Sequence, residues 1–245
     1  GVLCSGRRRR VNTRCGRIPS RYGRVVQLQF GERAFDVASR ALVLASLSAA
    51  EVAGPELAAT TAEHPGIIEI TDVLSDTVDV AIGHVCDTFD GANSVFTANA
   101  TLAHAALSAG AHAVHDPSGL SDPDYLLAVE EMGGSIILSC PANSAAPVAF
   151  LVERSRWGRA AGIGLERVVL HAPISVVDTL VASGYCVMVT SPDDPTAQGF
   201  NATMVSRGVR LVASNAVQAT RRTIDAVSEL VNRREPDRCE LTGDI

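Results

Sequence analysis

The chain has 245 residues, of which 47% are hydrophobic and 20% charged, and its formal net charge at pH 7 is −6. This length and composition allow one full hydrophobic core in a single domain, and no apolar run reaches the roughly 18 residues that a membrane-spanning helix needs. A soluble protein is expected, and its acidic balance argues against a nucleic-acid partner, because affinity for nucleic acids comes from neutralising phosphates.

The basic residues are notable in type and in distribution. All 21 are Arg, and the absence of Lys excludes Schiff-base catalysis and any cofactor bound through a lysine. Residues 1–24 contain eight Arg and no Asp or Glu. We interpret this segment as a disordered Arg-rich extension, with contact to polyanions and a targeting role as the alternatives.

The predicted elements begin with a hairpin, because Val25–Phe30 and Arg33–Asp36 alternate apolar and polar residues around Gly31-Glu32. Eight short apolar runs follow, each of the length of a buried strand. The eight predicted strands are Ala41–Leu47, Gly66–Ile70, Val78–Cys86, His112–His115, Ser135–Cys140, Arg167–His171, Tyr185–Thr190 and Val209–Ala213.

Amphipathic stretches of helical period separate most of these runs. The predicted helices are Glu51–Ala62, Ala98–Ser108, Pro123–Met132, Val148–Ala161, Val176–Ser183, Pro195–Ser206 and Gln218–Val231. Asp122-Pro123 and Asp194-Pro195 are typical helix starts, and a glycine closes four of the helices just before the next strand. These glycines are Gly110, Gly133, Gly184 and Gly208.

Alternating strands and helices predict an α/β fold, a (βα)8 TIM-type barrel over residues 25–234, with residues 235–245 as a tail. One link does not fit the pattern. Between Ile70 and Val78 there is no room for a crossover helix, which needs at least about ten residues. We therefore expect the second crossover helix to be missing or shortened.

Residues 87–120 contain three short motifs in order: Asp87-Thr88, Ala109-Gly110-Ala111 and His115-Asp116-Pro117-Ser118-Gly119. This order resembles the dihydropteroate synthases, which have a strand ending in Asp-Thr, an Ala-rich helix ending in Ala-Gly-Ala, and a strand ending in Asn-Asp-Val-Ser-Gly. The earlier segment Gly66-Ile67-Ile68-Glu69 is similar to the family's Gly-Ala-Asp-Ile-Ile-Asp strand, with Glu in place of Asp.

The resemblance implies the family's barrel, a homodimer and a small-molecule pterin site at the carboxyl ends of the strands. In the family, carboxylates accept hydrogen bonds from the N–H groups of the pterin, and Lys and Arg hold the pyrophosphate leaving group. Mg²⁺ would accompany a pterin pyrophosphate. The implied pterin-binding residues are Glu69, Asp87, His115, Asp116 and His171.

Several polar positions of the family pattern are replaced in this sequence. An Asn near the end of the first strand is replaced near Ala45, and the sixth-strand Asp-Pro-Gly reads His171-Ala172-Pro173. Ser-Arg-Lys after the seventh strand reads Ser191-Pro192-Asp193-Asp194, and Arg-x-His on the eighth reads Ala213-Ser214-Asn215. Each lost charge partner costs about 2–5 kcal/mol in such sites. We therefore expect a pterin-binding relative whose synthase reaction is lost or altered.

Two other functions stay open. One is a working pterin-dependent transferase, either a divergent synthase or a relative of the methyltetrahydrofolate–corrinoid methyltransferases, which share the barrel and do not need the lysine. The other is an unrelated acid–base or metal-assisted enzyme built from Asp87, His115, Asp116 and His171. Single residues also have structural alternatives, since Asp87 would cap the following segment and Asp116 would bond its own turn.

The cysteines indicate a reducing compartment. The six Cys show no CxxC spacing, and three of them lie in apolar strand-like runs, which is typical of reduced thiols in a cytoplasmic protein. Cys140 closes the fifth predicted strand and is a candidate nucleophile, with an inert thiol as the alternative.

Overall fold

The computed structural model describes residues 27–232, so the expectations for residues 1–24 and 235–245 lie outside the described part of the chain. The first elements are Gln27–Phe30 (β1) and Arg33–Asp36 (β2), which pair antiparallel with Gln27 opposite Asp36. Gly31 makes the tight turn between them with a φ of 54°. The predicted hairpin is confirmed.

Eight parallel strands then close into a barrel. They are Leu42–Ser48 (β3), Ile67–Thr71 (β4), Ala92–Phe96 (β5), Ala113–Asp116 (β6), Ser135–Ser139 (β7), Val168–His171 (β8), Cys186–Thr190 (β9) and Leu211–Ala213 (β10). Each strand pairs with the next, and β10 pairs with both β9 and β3, which closes the ring. The predicted eight-stranded barrel is confirmed.

Helices cover the outside of the barrel. They are Ala49–Val52 (α1), Pro55–Ala62 (α2), Val78–Thr88 (α3), Ala100–Ser108 (α4), Tyr125–Glu131 (α5), Pro147–Ala160 (α6), Val177–Ala182 (α7), Ala197–Ser206 (α8) and Val217–Asn232 (α9). Two 3-10 turns, Leu165–Arg167 and Ile174–Val176, precede β8 and α7. No helix within residues 27–232 is long and apolar enough to cross a membrane.

The prediction that Val78–Cys86 is a strand is wrong, because this segment is helix α3. Its buried residues Val78, Ala81, Ile82 and Val85 recur at intervals of three and four, which is the spacing of one helix face. The third barrel strand is β5, which the sequence analysis did not predict. The second crossover helix is therefore neither missing nor shortened, and α3 connects β4 to β5 in the ordinary way.

The barrel interior is apolar at its amino-terminal end. Inward side chains from all eight strands form one buried cluster there. These are Leu44, Ile67, Ala92, Ala113, Ile137, Val169, Cys186, Met188 and Leu211. The hairpin closes this end, since Leu28 and Phe30 are fully buried in the same cluster. Ser135, the first residue of β7, fastens the hairpin by donating to the Gln29 carbonyl at 2.6 Å and accepting from the Gly31 N–H at 3.4 Å.

Candidate functional site

Polar side chains replace the apolar ones toward the carboxyl ends of the strands. Because inward positions in a strand recur every second residue, the layer above the core takes one polar residue from each of seven strands. These residues are Ser46, Glu69, Ser94, His115, Ser139, His171 and Thr190. Ser46, Glu69 and Ser94 lie side by side in the register of β3, β4 and β5, and Ser139 lies beside His171 in β7 and β8.

Glu69 is the buried charge of this layer, with 5% of its surface exposed. Its carboxylate lies 2.7 Å from His115 Nδ1. It also accepts longer hydrogen bonds from the hydroxyls of Ser46 at 3.4 Å and Ser94 at 3.5 Å. A carboxylate removed from water needs such donors, and three neighbouring strands supply them.

The bonds continue from Glu69 across the barrel. His115 Nε2 lies 2.8 Å from Ser139 Oγ, and Ser139 Oγ lies 3.0 Å from His171 Nδ1. His171 Nε2 lies 3.0 Å from Thr190 Oγ1. We call this chain of Glu69, His115, Ser139, His171 and Thr190 the mouth relay. It leads from a buried carboxylate to an exposed threonine.

With both imidazoles neutral, every hydrogen bond of the mouth relay has one donor and one acceptor. A carboxylate accepts only, so the His115 proton is on Nδ1, and Nε2 accepts the Ser139 hydroxyl proton. Ser139 Oγ then accepts from His171 Nδ1, and His171 Nε2 accepts from Thr190. The relay therefore holds Ser139 as a hydroxyl that donates to one histidine and accepts from the other.

His171 is kept neutral by its surroundings. Its pKa is lowered from 6.5 to about 4, mainly by burial and also by the nearby His115, while Glu69 opposes the shift. The two imidazole rings meet edge to face with centroids 5.4 Å apart. At neutral pH His171 thus offers one N–H donor and one nitrogen acceptor.

Phe96 adds an aromatic surface beside the mouth relay. It is the last residue of β5, it is 37% exposed, and its ring meets His115 edge to face with centroids 4.8 Å apart. β5 is the strand that precedes the Ala-rich helix α4. The strand end at which the resemblance expects Asp-Thr is therefore held by Phe96-Thr97.

Asp87 does not belong to this site. It lies exposed in the last turn of α3, just before the amino-terminal end of β5. The hairpin covers that end of the barrel, since Arg33 of β2 forms an ion pair with Asp90 at 3.4 Å. The prediction that Asp87 ends a strand at the mouth with His171 is wrong, because the helical segment runs in the opposite direction to the strands.

Asp116 lies near the mouth but is turned away from the barrel interior, one position out of phase with His115. Its carboxylate accepts from the Ser118 N–H at 2.7 Å, from the Ser118 hydroxyl at 2.6 Å and from the Leu120 N–H. The alternative interpretation, in which Asp116 bonds its own turn, is confirmed. Asp87, His115, Asp116 and His171 do not converge as one acid–base or metal set, and in residues 27–232 no three or more His, Cys, Asp or Glu side chains are arranged so that they could hold a metal ion.

The replaced cation positions also lie at this end of the barrel. Ala213 ends β10, and Asp193 and Asp194 lie exposed after β9. Asp194 accepts from the Thr196 N–H at 2.7 Å and from the Thr196 hydroxyl at 2.5 Å, and these bonds lower its pKa. Arg207 forms an ion pair with Asp178 at 2.7 Å on the outer helices.

Glu69, His115 and His171 were predicted from the sequence, and the structure brings them together. Five further residues of the mouth were not predicted: Ser46, Ser94, Ser139, Thr190 and Phe96. Glu69 contacts His115 directly, and Ser139 links His115 to His171. Serine and threonine are common on any protein surface, so their presence in the sequence does not by itself indicate a functional site. Thr190 ends its predicted strand and could have been found by position, and Ser94 and Phe96 follow by counting every second residue once β5 is placed; Ser46 requires the observed strand end at Ser48, one residue beyond the predicted one.

Comparison with known structures gives the fold. Mycobacterium tuberculosis Rv1207 is 22% identical with a TM-score of 0.70, covering 81% of this chain and 95% of that one. Dihydropteroate synthase of Thermus thermophilus in complex with 6HMPPP is 22% identical with a TM-score of 0.70, and the match covers 83% of this chain and 99% of that one. Dihydropteroate synthase of Vibrio fischeri is 14% identical with a TM-score of 0.75, and the match covers 86% of this chain and 99% of that one. The chain has the dihydropteroate-synthase fold.

No protein-family model and no curated protein matches the sequence.

Proposed function

We propose that the chain is a divergent member of the dihydropteroate-synthase family that keeps a pterin-class ligand site at the barrel mouth and has lost or altered the synthase reaction. The observation that carries this proposal is the mouth relay. It fills the ligand end of a dihydropteroate-synthase barrel with one carboxylate and neutral groups, where the family pattern has several charges. The chain as a whole contains no Lys.

The retained groups suit a flat heterocycle with N–H donors. Phe96, with 37% of its surface exposed, offers a ring on which such a ligand can stack. Among residues 27–232, the Glu69 carboxylate oxygen that accepts from Ser46 makes this single long hydrogen bond of 3.4 Å, which supports its use as an acceptor for a ligand N–H. Glu69, His115 and His171 are the proposed pterin-binding residues; Asp87 and Asp116 drop out of the set.

The charges near the mouth do not suit the synthase reaction. Pyrophosphate leaves as an anion and needs fixed cations, and one lost contact of this kind commonly costs about 10²–10³-fold in rate. Asp193 and Asp194 lie where the resemblance expects cations, and Arg207 is engaged by Asp178. Mg²⁺ would enter this site only together with a pterin pyrophosphate. The homodimer implied by the resemblance stays a prediction.

The test combines binding and turnover in the full chain. Calorimetric titration with 6-hydroxymethyl-7,8-dihydropterin is expected to show binding that Glu69→Gln weakens at least about tenfold, because the carboxylate is the proposed acceptor. Condensation of the pterin pyrophosphate with p-aminobenzoate is expected to stay at background. Asp87→Asn is the matched control, since this carboxylate is exposed at the opposite end of the barrel.

Each result has a clear consequence. Absence of pterin binding to the folded protein would contradict the proposal. Robust pteroate synthesis that disappears in Glu69→Gln and persists in Asp87→Asn would instead make the chain a working pterin-dependent transferase.

A further inference from the structure

Ser139 lies between two imidazoles at the barrel mouth. It is the last residue of β7, and its hydroxyl is 2.8 Å from His115 Nε2 and 3.0 Å from His171 Nδ1. Pterin binding as proposed above uses Glu69, His115, His171 and the aromatic surface of Phe96, and it gives the Ser139 hydroxyl no task.

The arrangement matches the requirements of an activated nucleophile. A base lies within hydrogen-bond reach of the hydroxyl, and an anionic group orients the base from its other nitrogen. Glu69 bonds His115 Nδ1 at 2.7 Å, and His115 Nε2 bonds Ser139 Oγ at 2.8 Å. The same order of carboxylate, imidazole and hydroxyl recurs on unrelated folds of acyl-transfer enzymes.

We propose that Ser139 is the nucleophile of an ester-hydrolysing or acyl-transferring site, with His115 as general base, Glu69 as the group that orients His115, and His171 as the donor to the oxyanion. The proposal rests on the bonding of these four side chains and does not depend on pterin binding.

The reaction balances with water as the only co-reactant. Ser139 Oγ bonds to the ester carbonyl carbon while its proton moves to His115 Nε2. The carbon–alkoxy bond breaks, and His115 returns that proton to the departing alkoxide, which leaves as an alcohol. Water then attacks the acyl-Ser139 carbonyl and gives a proton to His115. The Ser139–acyl bond breaks, Oγ recovers that proton, and a carboxylic acid is released.

His171 is placed to stabilise the tetrahedral intermediate. Its Nδ1 donates to Ser139 Oγ in the free protein, and this oxygen becomes a poor acceptor once it is bonded to carbon. The oxyanion forms on the same carbon, so a donor that reaches Oγ at 3.0 Å also lies close to the oxyanion. Neutral imidazole suits this task, because it donates one N–H and carries no charge that would need a counter-ion.

The surroundings indicate the class of substrate. Ser139 is 9% exposed, and the hydrogen bonds lead from it through the half-buried His171 to the exposed Thr190. The exposed ring of Phe96 offers apolar contact on the other side of His115. Asp193 and Asp194 would repel an anionic group. A small uncharged carboxylic ester fits these features.

The first test uses the full chain with p-nitrophenyl acetate and with a fluorophosphonate that labels activated serines. We expect the phosphonate on Ser139, located by tandem mass spectrometry, and a loss of ester hydrolysis of at least about 10²-fold in Ser139→Ala. Ser108→Ala, a control exposed on α4, keeps the wild-type rate. Thermal melting followed by circular dichroism verifies that each variant is folded.

A second variant makes the test independent of any one substrate. We expect the thiol of Ser139→Cys to react with iodoacetamide about tenfold faster than a free cysteine at pH 7, and His115→Gln in the same background to remove the acceleration. A folded wild-type protein without an adduct on Ser139, or a thiol of ordinary reactivity, overturns the proposal. Pterin binding without ester hydrolysis would end this proposal alone, and ester hydrolysis without pterin binding would contradict only the proposed function.

Discussion

At the scale of single residues, burial decides the chemistry of the mouth. His171 and His104 are the same residue type, but His171 is held between Ser139 and Thr190, whereas His104 is exposed on α4. Burial gives His171 a pKa of about 4 and so keeps its ring neutral at the pH of a cell. In this neutral state His171 Nε2 accepts from the Thr190 hydroxyl, whereas an imidazolium has no acceptor nitrogen and would donate to Thr190 instead.

The depressed pKa of His171 predicts a pH-dependent stability. Between pH 6.5 and about 4 the unfolded chain takes up a proton at this histidine and the folded chain does not. The free energy of unfolding therefore falls as the pH is lowered through this window, by at most about 3 kcal/mol from this residue. Urea unfolding at several pH values measures it.

His171→Gln is expected to flatten this pH dependence, because the amide still bonds Ser139 and Thr190 but does not titrate. His104→Gln is the control and keeps the wild-type slope, since this side chain is exposed. Equal slopes in the wild type and in His171→Gln would show that His171 does not titrate as described.

Asp116 is expected to matter for stability and not for ligand binding. Its carboxylate holds the turn at Ser118 and keeps Leu120 in the left-handed region at a φ of 64°. Asp116→Ala leaves buried donors without an acceptor and should cost about 2–5 kcal/mol in urea unfolding. Asp124→Ala, at an exposed position without a side-chain cap bond, should change stability by less than about 0.5 kcal/mol. Loss of ligand binding with unchanged stability in Asp116→Ala would return Asp116 to the binding site.

Among the secondary-structure elements, the sequence pattern predicted the barrel, but one of its eight strands was predicted in the wrong segment. The segment from Val78 to Cys86 is rich in β-branched residues and reads as a strand by composition, while its buried positions follow a helical period. β5 was missed because Ala92–Phe96 contains Asn93 and Ser94, polar residues that are buried only because the barrel closes around them. Tertiary burial of this kind cannot be seen in a local pattern.

The same error decided which part of the site could be predicted. Placing the strand at Val78 shifted the family's Asp-Thr onto Asp87 and hid Phe96, which truly ends the strand. Glu69, His115 and His171 were found because a charged or titratable residue in an apolar run is informative by itself. Ser139 was not, because its meaning comes from two histidines on other strands, at sequence separations of 24 and 32 residues.

The junction between α8 and β10 offers a matched pair of glycine substitutions. Gly208 has a φ of +99°, and a Cβ there would lie 2.7 Å from Val181 Cγ1, so Gly208→Ala should destabilise the protein by about 1–3 kcal/mol. Gly199, inside α8, would place a Cβ in open space, and Gly199→Ala should stabilise it by up to about 1 kcal/mol. Urea unfolding compares the two variants, and shifts of the same sign would contradict this account of the junction.

The barrel as a whole has two unlike ends. The amino-terminal end is apolar and closed by the hairpin, in which Leu28 and Phe30 are fully buried. The carboxyl end carries the mouth relay and the acidic residues after β9. The apolar end contributes to stability, and the other end carries the polar groups of the proposed ligand site.

The hairpin is expected to be part of the stable core although it stands outside the barrel sheet. Phe30→Ala removes a fully buried ring and should cost about 3–5 kcal/mol. Phe35, whose ring meets Phe30 edge to face at 6.2 Å, is only partly buried, so Phe35→Ala should cost clearly less. Thermal and urea unfolding measure both variants. A cost below about 1 kcal/mol for Phe30→Ala would show that the hairpin contributes little to the stability of the barrel.

The pairing of β10 with β3 also has a consequence for the folding of the protein during its synthesis on the ribosome. The strand that completes the ring, Leu211–Ala213, leaves the ribosome long after its partner Leu42–Ser48. At about 5–20 residues per second, the partner strand waits on the order of ten seconds with one edge unpaired. An apolar strand edge is a template for pairing with other chains. Each nascent chain therefore passes through an interval of aggregation risk that ends only when its last strand is made, and a chaperone that covers Leu42–Ser48 during translation would shorten it.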